Sequence, residues 1–230
     1  MMSDFFLPVI CESIVNRKII KRVLTKFKKG FSNKEVSPYM DFINSTNMGP
    51  GNIGIDLGAN VGNITEIMAS KGATIYAFEP NPFAYKVLSD RFSENSNVIC
   101  INKGVLDRND KLRLYLHENC EEDQIKWSTG SSFLEFKGNV IKEKFIEVEV
   151  IDLVQFIEEI ESNIKLIKMD VEGVECQILN KLISSSVFNK IENIIVETHD
   201  HKVCELKDET NMLRKKIREN GLTTIRLDWI

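Results

Sequence analysis

Asp56 and Glu79 stand 23 residues apart, each at the end of a short β-branched or aromatic run. Asp56 is followed by Leu57-Gly58-Ala59-Asn60-Val61-Gly62, and Glu79 by Pro80-Asn81-Pro82. Small residues just after a strand let the backbone approach a ligand closely and open a helix without steric conflict. An acid at the end of the next strand can accept hydrogen bonds from both hydroxyls of a ribose. Singly, a glycine-rich turn is only a turn, and a loop acid only a solvated charge. On two consecutive strand ends at this spacing, they predict a site for an adenosine-containing ligand.

A second group of candidates lies downstream. Asp170 and Glu172 follow an apolar run, Glu197 closes another, and His199 and His201 come two and four residues later. Carboxylates and imidazoles at strand ends are the groups that take a proton from a substrate. Among them His199 is expected to be the neutral base near pH 7. The plainer roles are helix capping or an ion pair with Lys168. The alternative chemistry is a divalent cation held by Asp170 and Glu197, where two oxygen ligands plus waters would suit Mg²⁺. The sequence names no third ligand.

A literal G-x-G-x-x-G also occurs, as Gly49-Pro50-Gly51-Asn52-Ile53-Gly54. A dinucleotide site needs these glycines after the first strand, at a helix N-terminus. Here they precede it and read as an entry loop. After the strand, Asn60 and Asn63 stand where a pyrophosphate needs glycine, and Asp56 would repel it. An oxidoreductase using NAD is therefore disfavoured. A ligand without phosphates, such as S-adenosylmethionine, escapes both objections.

The elements that must position these residues alternate. Strands are expected at 53–57, 74–78, 98–102, 165–169, 193–197 and 223–228, with helices at about 62–71, 83–92, 152–160, 174–183 and 208–219. Strands separated by helical stretches form right-handed βαβ units around a mostly parallel sheet with helices on both faces. Ligands then sit beyond the carboxyl ends of the strands. Residues 111–150 break the rhythm: Leu112–Leu116 and Phe145–Val150 alternate with period two, predicting an antiparallel insert around a polar loop. That loop holds Glu121-Glu122-Asp123, Trp127 and a serine-rich stretch.

The motifs Asp56–Asn63 and Ala77–Pro82, with Ile167–Glu175 (IKMDVEGVE) and Val196–His199 (VETH), resemble in order those of the FkbM family of methyltransferases. Ile151-Asp152-Leu153 resembles the family's short helix entry. The similarity spans roughly residues 36 to 220. It implies a Rossmann-like class I methyltransferase fold, S-adenosylmethionine as donor and usually O-methylation of sugar or natural-product hydroxyls. Carried over by position, Asp56, Gly58, Asn60 and Gly62 would frame the methionine portion and Glu79 the ribose. Gly104, Val105 and Asp107 would lie near the adenine, and the serine-rich stretch would face cofactor or substrate. Base N-methyltransferases resemble one another in an N/D-P-P-Y/F run, in whose place stands Met169-Asp170-Val171-Glu172 without either proline. Class I enzymes also end in an antiparallel strand, for which little chain remains after residue 228.

Composition is that of a globular protein, 43% hydrophobic and 28% charged. The net charge of −4 makes no global case for nucleic acid. The expected acceptor is a small molecule or glycan, with no nucleic-acid partner. Residues 1–50 carry a surplus of four positive charges, and 12–29 have the periodicity of a basic amphipathic helix. They read as an extension to a methyltransferase domain at 51–230, whose helix is expected to pack on the domain or a second subunit, with a lid role or weak membrane-surface association as the alternatives. The five scattered cysteines form no C-x-x-C pair, which points to reduced thiols in a cytoplasmic protein. A non-catalytic Rossmann-like binding module is the alternative function, and the retained strand-end acids argue against it.

Overall fold

Five-residue runs of alternating or continuous apolar side chains become the first two strands, β1 (Ile53–Leu57) and β2 (Thr74–Phe78), at the expected bounds. The computed structural model describes residues 38–229; the basic helix expected at 12–29 lies outside them. Helix α1 (Pro38–Ser45) precedes β1, α2 (Asn63–Ala69) follows it, and α3 (Pro82–Arg91) joins β2 to β3 (Val98–Ile101). Asn81 caps α3 by accepting a hydrogen bond from the Phe83 N–H, with Pro82 in the first turn. Then come β4 (Gly104–Leu106), β5 (Asp110–His117) and β6 (Val140–Asp152). The alternation resumes with α4 (Leu153–Glu158), β7 (Ile164–Met169), α5 (Glu175–Ile183), β8 (Ile194–Glu197), α6 (Lys207–Glu219) and β9 (Ile225–Trp229).

The main sheet has six parallel strands in the order β3-β2-β1-β7-β8-β9. Period two along β2 shows how both faces are covered. Ile75 and Ala77 join Ile43 of α1, Met68 of α2 and Leu88 of α3 in one buried cluster. Tyr76 and Phe78 turn the other way, towards Leu153 and Ile157 of α4, Leu179 of α5 and Leu213 of α6. Each such aliphatic or aromatic side chain, fully buried, contributes about 1.5–3 kcal/mol. The fold is therefore the Rossmann-like architecture expected. Ile43 and Met48 are buried in the first of these clusters. The compact unit runs from Pro38.

The 111–150 region forms a second sheet of order β4-β6-β5. β5 and β6 are antiparallel as expected, whereas β4 runs parallel to β6. This sheet stays separate from the main one. Among the described residues no antiparallel strand follows β9, which pairs with β8 in parallel.

Candidate active site

β1 and β7 lie side by side at the point where the strand order reverses, with α2 and α5 departing to opposite faces. A cleft opens beyond their carboxyl ends. Gly58, Asn60 and Glu79 line one side, Gly104 and Val105 of β4 another, and Asp170 and Glu172 a third. Ser128, Thr129, Ser131 and Ser132 of the β5–β6 loop complete it.

The β1 loop owes its shape to two contacts. Gly58 has φ +74°, and a Cβ there would lie 1.8 Å from the Asp170 carbonyl oxygen, so glycine lets the β1 loop pass against the β7 end. Two residues on, the Asn60 N–H donates to Glu79 Oε2 (2.8 Å), while the Asn81 N–H donates to Oε1 (2.8 Å). Glu79 thus ties the first two strand ends together. Burial raises its pKa to about 7 against the two backbone N–H groups and the nearby Lys168, which lower it. Each oxygen bonded to a single N–H retains acceptor capacity for a hydroxyl.

The serine-rich loop is fastened to the same ends. Asn60 Nδ2 donates to Ser128 Oγ (2.9 Å), Asn81 Nδ2 to Ser131 Oγ (3.4 Å), and Ser132 Oγ to the Glu172 carbonyl (2.7 Å). Trp127 of this loop is outside the cleft wall and stacks on His117 at 4.5 Å between ring centres.

At the β7 and β8 ends, four carboxylates surround one imidazole. His199 is 1% exposed. Its Nδ1 is 2.8 Å from Glu175 Oε1, which also accepts from the Gly173 N–H. Its Nε2 is 3.1 Å from Glu172 Oε2, 3.7 Å from Asp170 Oδ1 and 3.9 Å from Glu197 Oε1. Burial works to lower the His199 pKa, but Glu172 and Glu175 outweigh it and hold the pKa at about 10. The neutral base expected at His199 is therefore a buried imidazolium in this arrangement, and it does not line the cleft. Asp170 does, with its pKa pushed up to about 7 by burial, opposed by Lys168. Burial opposes charge on Glu172 too, but His199 and Lys137 prevail and hold its pKa at about 2. Lys137, itself buried, pairs with Glu172 and donates to the Gly130 carbonyl (3.2 Å).

Of the residues singled out from the sequence, Gly58, Asn60, Glu79, Gly104, Val105 and Asp170 meet in the cleft. Besides His199, four others do not line it. Asp56 is fully buried beneath the loop, accepting from Thr65 Oγ1 (2.6 Å) and pairing with Lys168 (3.1 Å). Gly62 caps α2 with φ +85°, where a Cβ would meet the Phe92 ring at 2.5 Å. Asp107 pairs outside with Arg108 (3.0 Å), and Glu197 with Lys202 (2.8 Å). Sequence reasoning missed the Asp56 partner of Lys168, although a lysine inside the apolar run Ile164–Met169 was a visible signal. It missed Lys137 as well, which nothing distinguishes from other loop lysines.

The family model described as "Methyltransferase FkbM domain" matches residues 56–222. A curated relative, "Probable ribosomal RNA small subunit methyltransferase A" of Methanosarcina barkeri, is 36% identical over 61 residues. That stretch is 26% of this chain, and the chain spans about a fifth (21%) of that relative's length. Among solved structures, similarity extends to a precorrin 8w decarboxylase of Methanobacterium thermoautotrophicum (15% identity, TM-score 0.44, 82% of this chain and 74% of that one). It extends also to an rRNA methylase of Streptococcus thermophilus (12% identity, TM-score 0.43, 79% and 81%).

Proposed function

The chain belongs to the FkbM methyltransferase family and is an S-adenosylmethionine-dependent methyltransferase; we propose that it transfers the methyl group to oxygen, on a hydroxyl of a sugar or related small molecule. The observation that carries this reading is the cleft itself. It places an acid suited to a ribose, Glu79, and a second carboxylate, Asp170, on facing strand-end loops. The donor set fits the adenosine part of the cofactor: two acceptor oxygens on Glu79 for the ribose, and the apolar Val105 and Phe133 for the base. Asn60 and Gly58 would hold the amino-acid end through their backbone.

When bound, the cofactor supplies an electrophilic methyl group, so the chain's own tasks are orientation, exclusion of water and handling of one proton. The Ser128–Ser132 loop walls the cleft from solvent and holds the Asn60 and Asn81 loops in place. Asp170 lines the cleft and would take the proton of the acceptor hydroxyl. Glu197 and His199 are not part of the cleft wall and would not touch substrate. The absence of a proline run after Met169 supports oxygen over a base nitrogen as acceptor.

Calorimetry with S-adenosylmethionine, S-adenosylhomocysteine and NAD, followed by transfer of an isotopically labelled methyl group to panels of glycans, hydroxylated small molecules and ribosomal RNA, tests the proposal. Binding of the first two ligands and label recovered as a methyl ether are expected. NAD binding alone would overturn the donor. Label on an RNA base nitrogen would overturn the acceptor.

A further inference from the structure

We infer that Asp170, Glu172 and His199 form a binding site for one divalent cation on the wall of the cleft. One donor atom from each lies within 4.8 Å of the other two. His199 Nε2 is buried, turned towards both carboxylates, and has no hydrogen-bond partner among the described residues. The Glu172 oxygen lies 3.1 Å away, in ionic contact with the ring. Asp170 Oδ1, on the same side, is likewise buried with no hydrogen-bond partner among the described residues. Two orphaned polar atoms facing each other across 3.7 Å are costly unless something lies between them.

The separations match a coordination shell. Metal–ligand bonds of about 2.1 Å at right or tetrahedral angles put neighbouring donors roughly 3.0–3.4 Å apart. The pair distances of 3.1 and 3.7 Å need only small side-chain shifts to reach that. The surroundings also have the form of a metal site. His199 Nδ1 is held by Glu175 Oε1 at 2.8 Å, and Glu175 is anchored by the Gly173 N–H. A carboxylate behind a ligating histidine fixes its tautomer and raises its basicity. The cation would take the place of the Nε2 proton carried by the metal-free imidazolium, so binding releases that proton. Glu172 has φ +60°, a left-handed conformation unusual for a side-chain-bearing residue, and this turn carries its carboxylate into the group.

One imidazole with two carboxylates selects Mn²⁺ or Zn²⁺ over Mg²⁺. Glu197, paired with Lys202 and 3.9 Å from Nε2, stands outside the trio. Asp170 and Glu172 both face the cleft, so the remaining coordination positions open towards the acceptor. A vicinal diol or another oxygen-rich acceptor would be oriented there. Asp170 Oδ1 then serves the cation, and Oδ2, on the Lys168 side, stays available for the acceptor's proton. The part assigned to the acceptor rests on the O-methyl reading; the cation site does not.

The test is a titration of the full chain, freed of metal by chelator, with Mn²⁺ followed by electron paramagnetic resonance and with Zn²⁺ by calorimetry. One ion per chain is expected. Asp170→Asn and Glu175→Gln should each weaken it by about 10- to 100-fold, with S-adenosylhomocysteine binding retained as proof of folding. No stoichiometric binding of either ion at about 1 mM, or equal binding in both folded variants, would overturn the site. An acceptor that proves not to be a hydroxyl would leave this titration untouched, so the two failures are distinguishable.

Discussion

Asp56 and Lys168 are register partners on the neighbouring strands β1 and β7, and their side chains meet in a 3.1 Å ion pair beneath the cofactor loop. Parallel pairing puts both on the same face, and neither is more than 2% exposed. Lys168 Nζ also donates to the Gly58 carbonyl (2.7 Å) and the Leu57 carbonyl (3.2 Å). Burial acts against the ammonium, but Asp56 and Asp170 outweigh it and raise its pKa. The pair therefore holds the loop from below.

Removing one partner of a buried pair leaves the other charge uncompensated. Lys168→Met should cost about 3–5 kcal/mol in urea unfolding. Adding Asp56→Asn, which keeps an acceptor for Thr65, should recover part of the loss. A cost below about 1 kcal/mol, the worth of a surface pair, would show that the charge is solvated after all.

Glu79 gives the pH dependence of cofactor binding. Its pKa is raised to about 7, so it is a carboxylate above that pH and a neutral acid below it. Protonation removes acceptor capacity from the group assigned to the ribose. Affinity for S-adenosylhomocysteine should be level above about pH 8 and fall below pH 7, towards a limit of about tenfold per pH unit. Glu79→Ala should weaken binding by about 1–3 kcal/mol at pH 8 and abolish the slope. Calorimetry between about pH 6 and pH 8.5 checks both. A slope that survives in the variant belongs to another group.

The two glycines of the β1 loop should differ in tolerance. Both have positive φ, which disfavours alanine by more than about 1 kcal/mol. At Gly58 the added Cβ would strike a backbone carbonyl, Asp170 O, at 1.8 Å, and the sheet edge would have to move. At Gly62 it meets the side chains of Phe92 (2.5 Å) and Leu88 (2.7 Å), which can turn aside. Gly58→Ala should therefore be the more destabilising in urea unfolding and the only one of the two to impair S-adenosylhomocysteine binding. Equal effects would mean that the loop relaxes at both positions.

The period-two and period-3.6 patterns made the main sheet and its helices legible, because each strand buries one or both faces in a core that only apolar side chains fill. Glu79 was legible for the same reason: its place at a strand end follows from β2. The roles of Asp56 and His199 were not. A sequence shows that Asp56 ends a strand, but whether the carboxylate turns up to the ligand or down to Lys168 depends on pairing between β1 and β7, over a hundred residues apart. His199 read as a neutral base because its carboxylate neighbours Glu172 and Glu175 come from a different strand end. Long-range charge, unlike periodicity, leaves no local trace.

Asp170→Asn separates binding from chemistry. The side chain lines the cleft but makes no bond to the Glu79 cradle, so the cofactor's ribose end should be unaffected. An asparagine is nearly the same shape and cannot take a proton. Losing a positioned base costs about 10²–10⁴ in rate. We expect kcat to fall by that factor with S-adenosylhomocysteine affinity unchanged. His199→Gln provides the contrast: it removes the cation from among Glu172, Glu175, Asp170 and Glu197, so like charges face one another unrelieved. It should lower the unfolding midpoint markedly, whereas Asp170→Asn, which removes one of those negative charges, should not. Were His199→Gln to keep full stability and lose only kcat, the proton acceptor would be the imidazole and not Asp170.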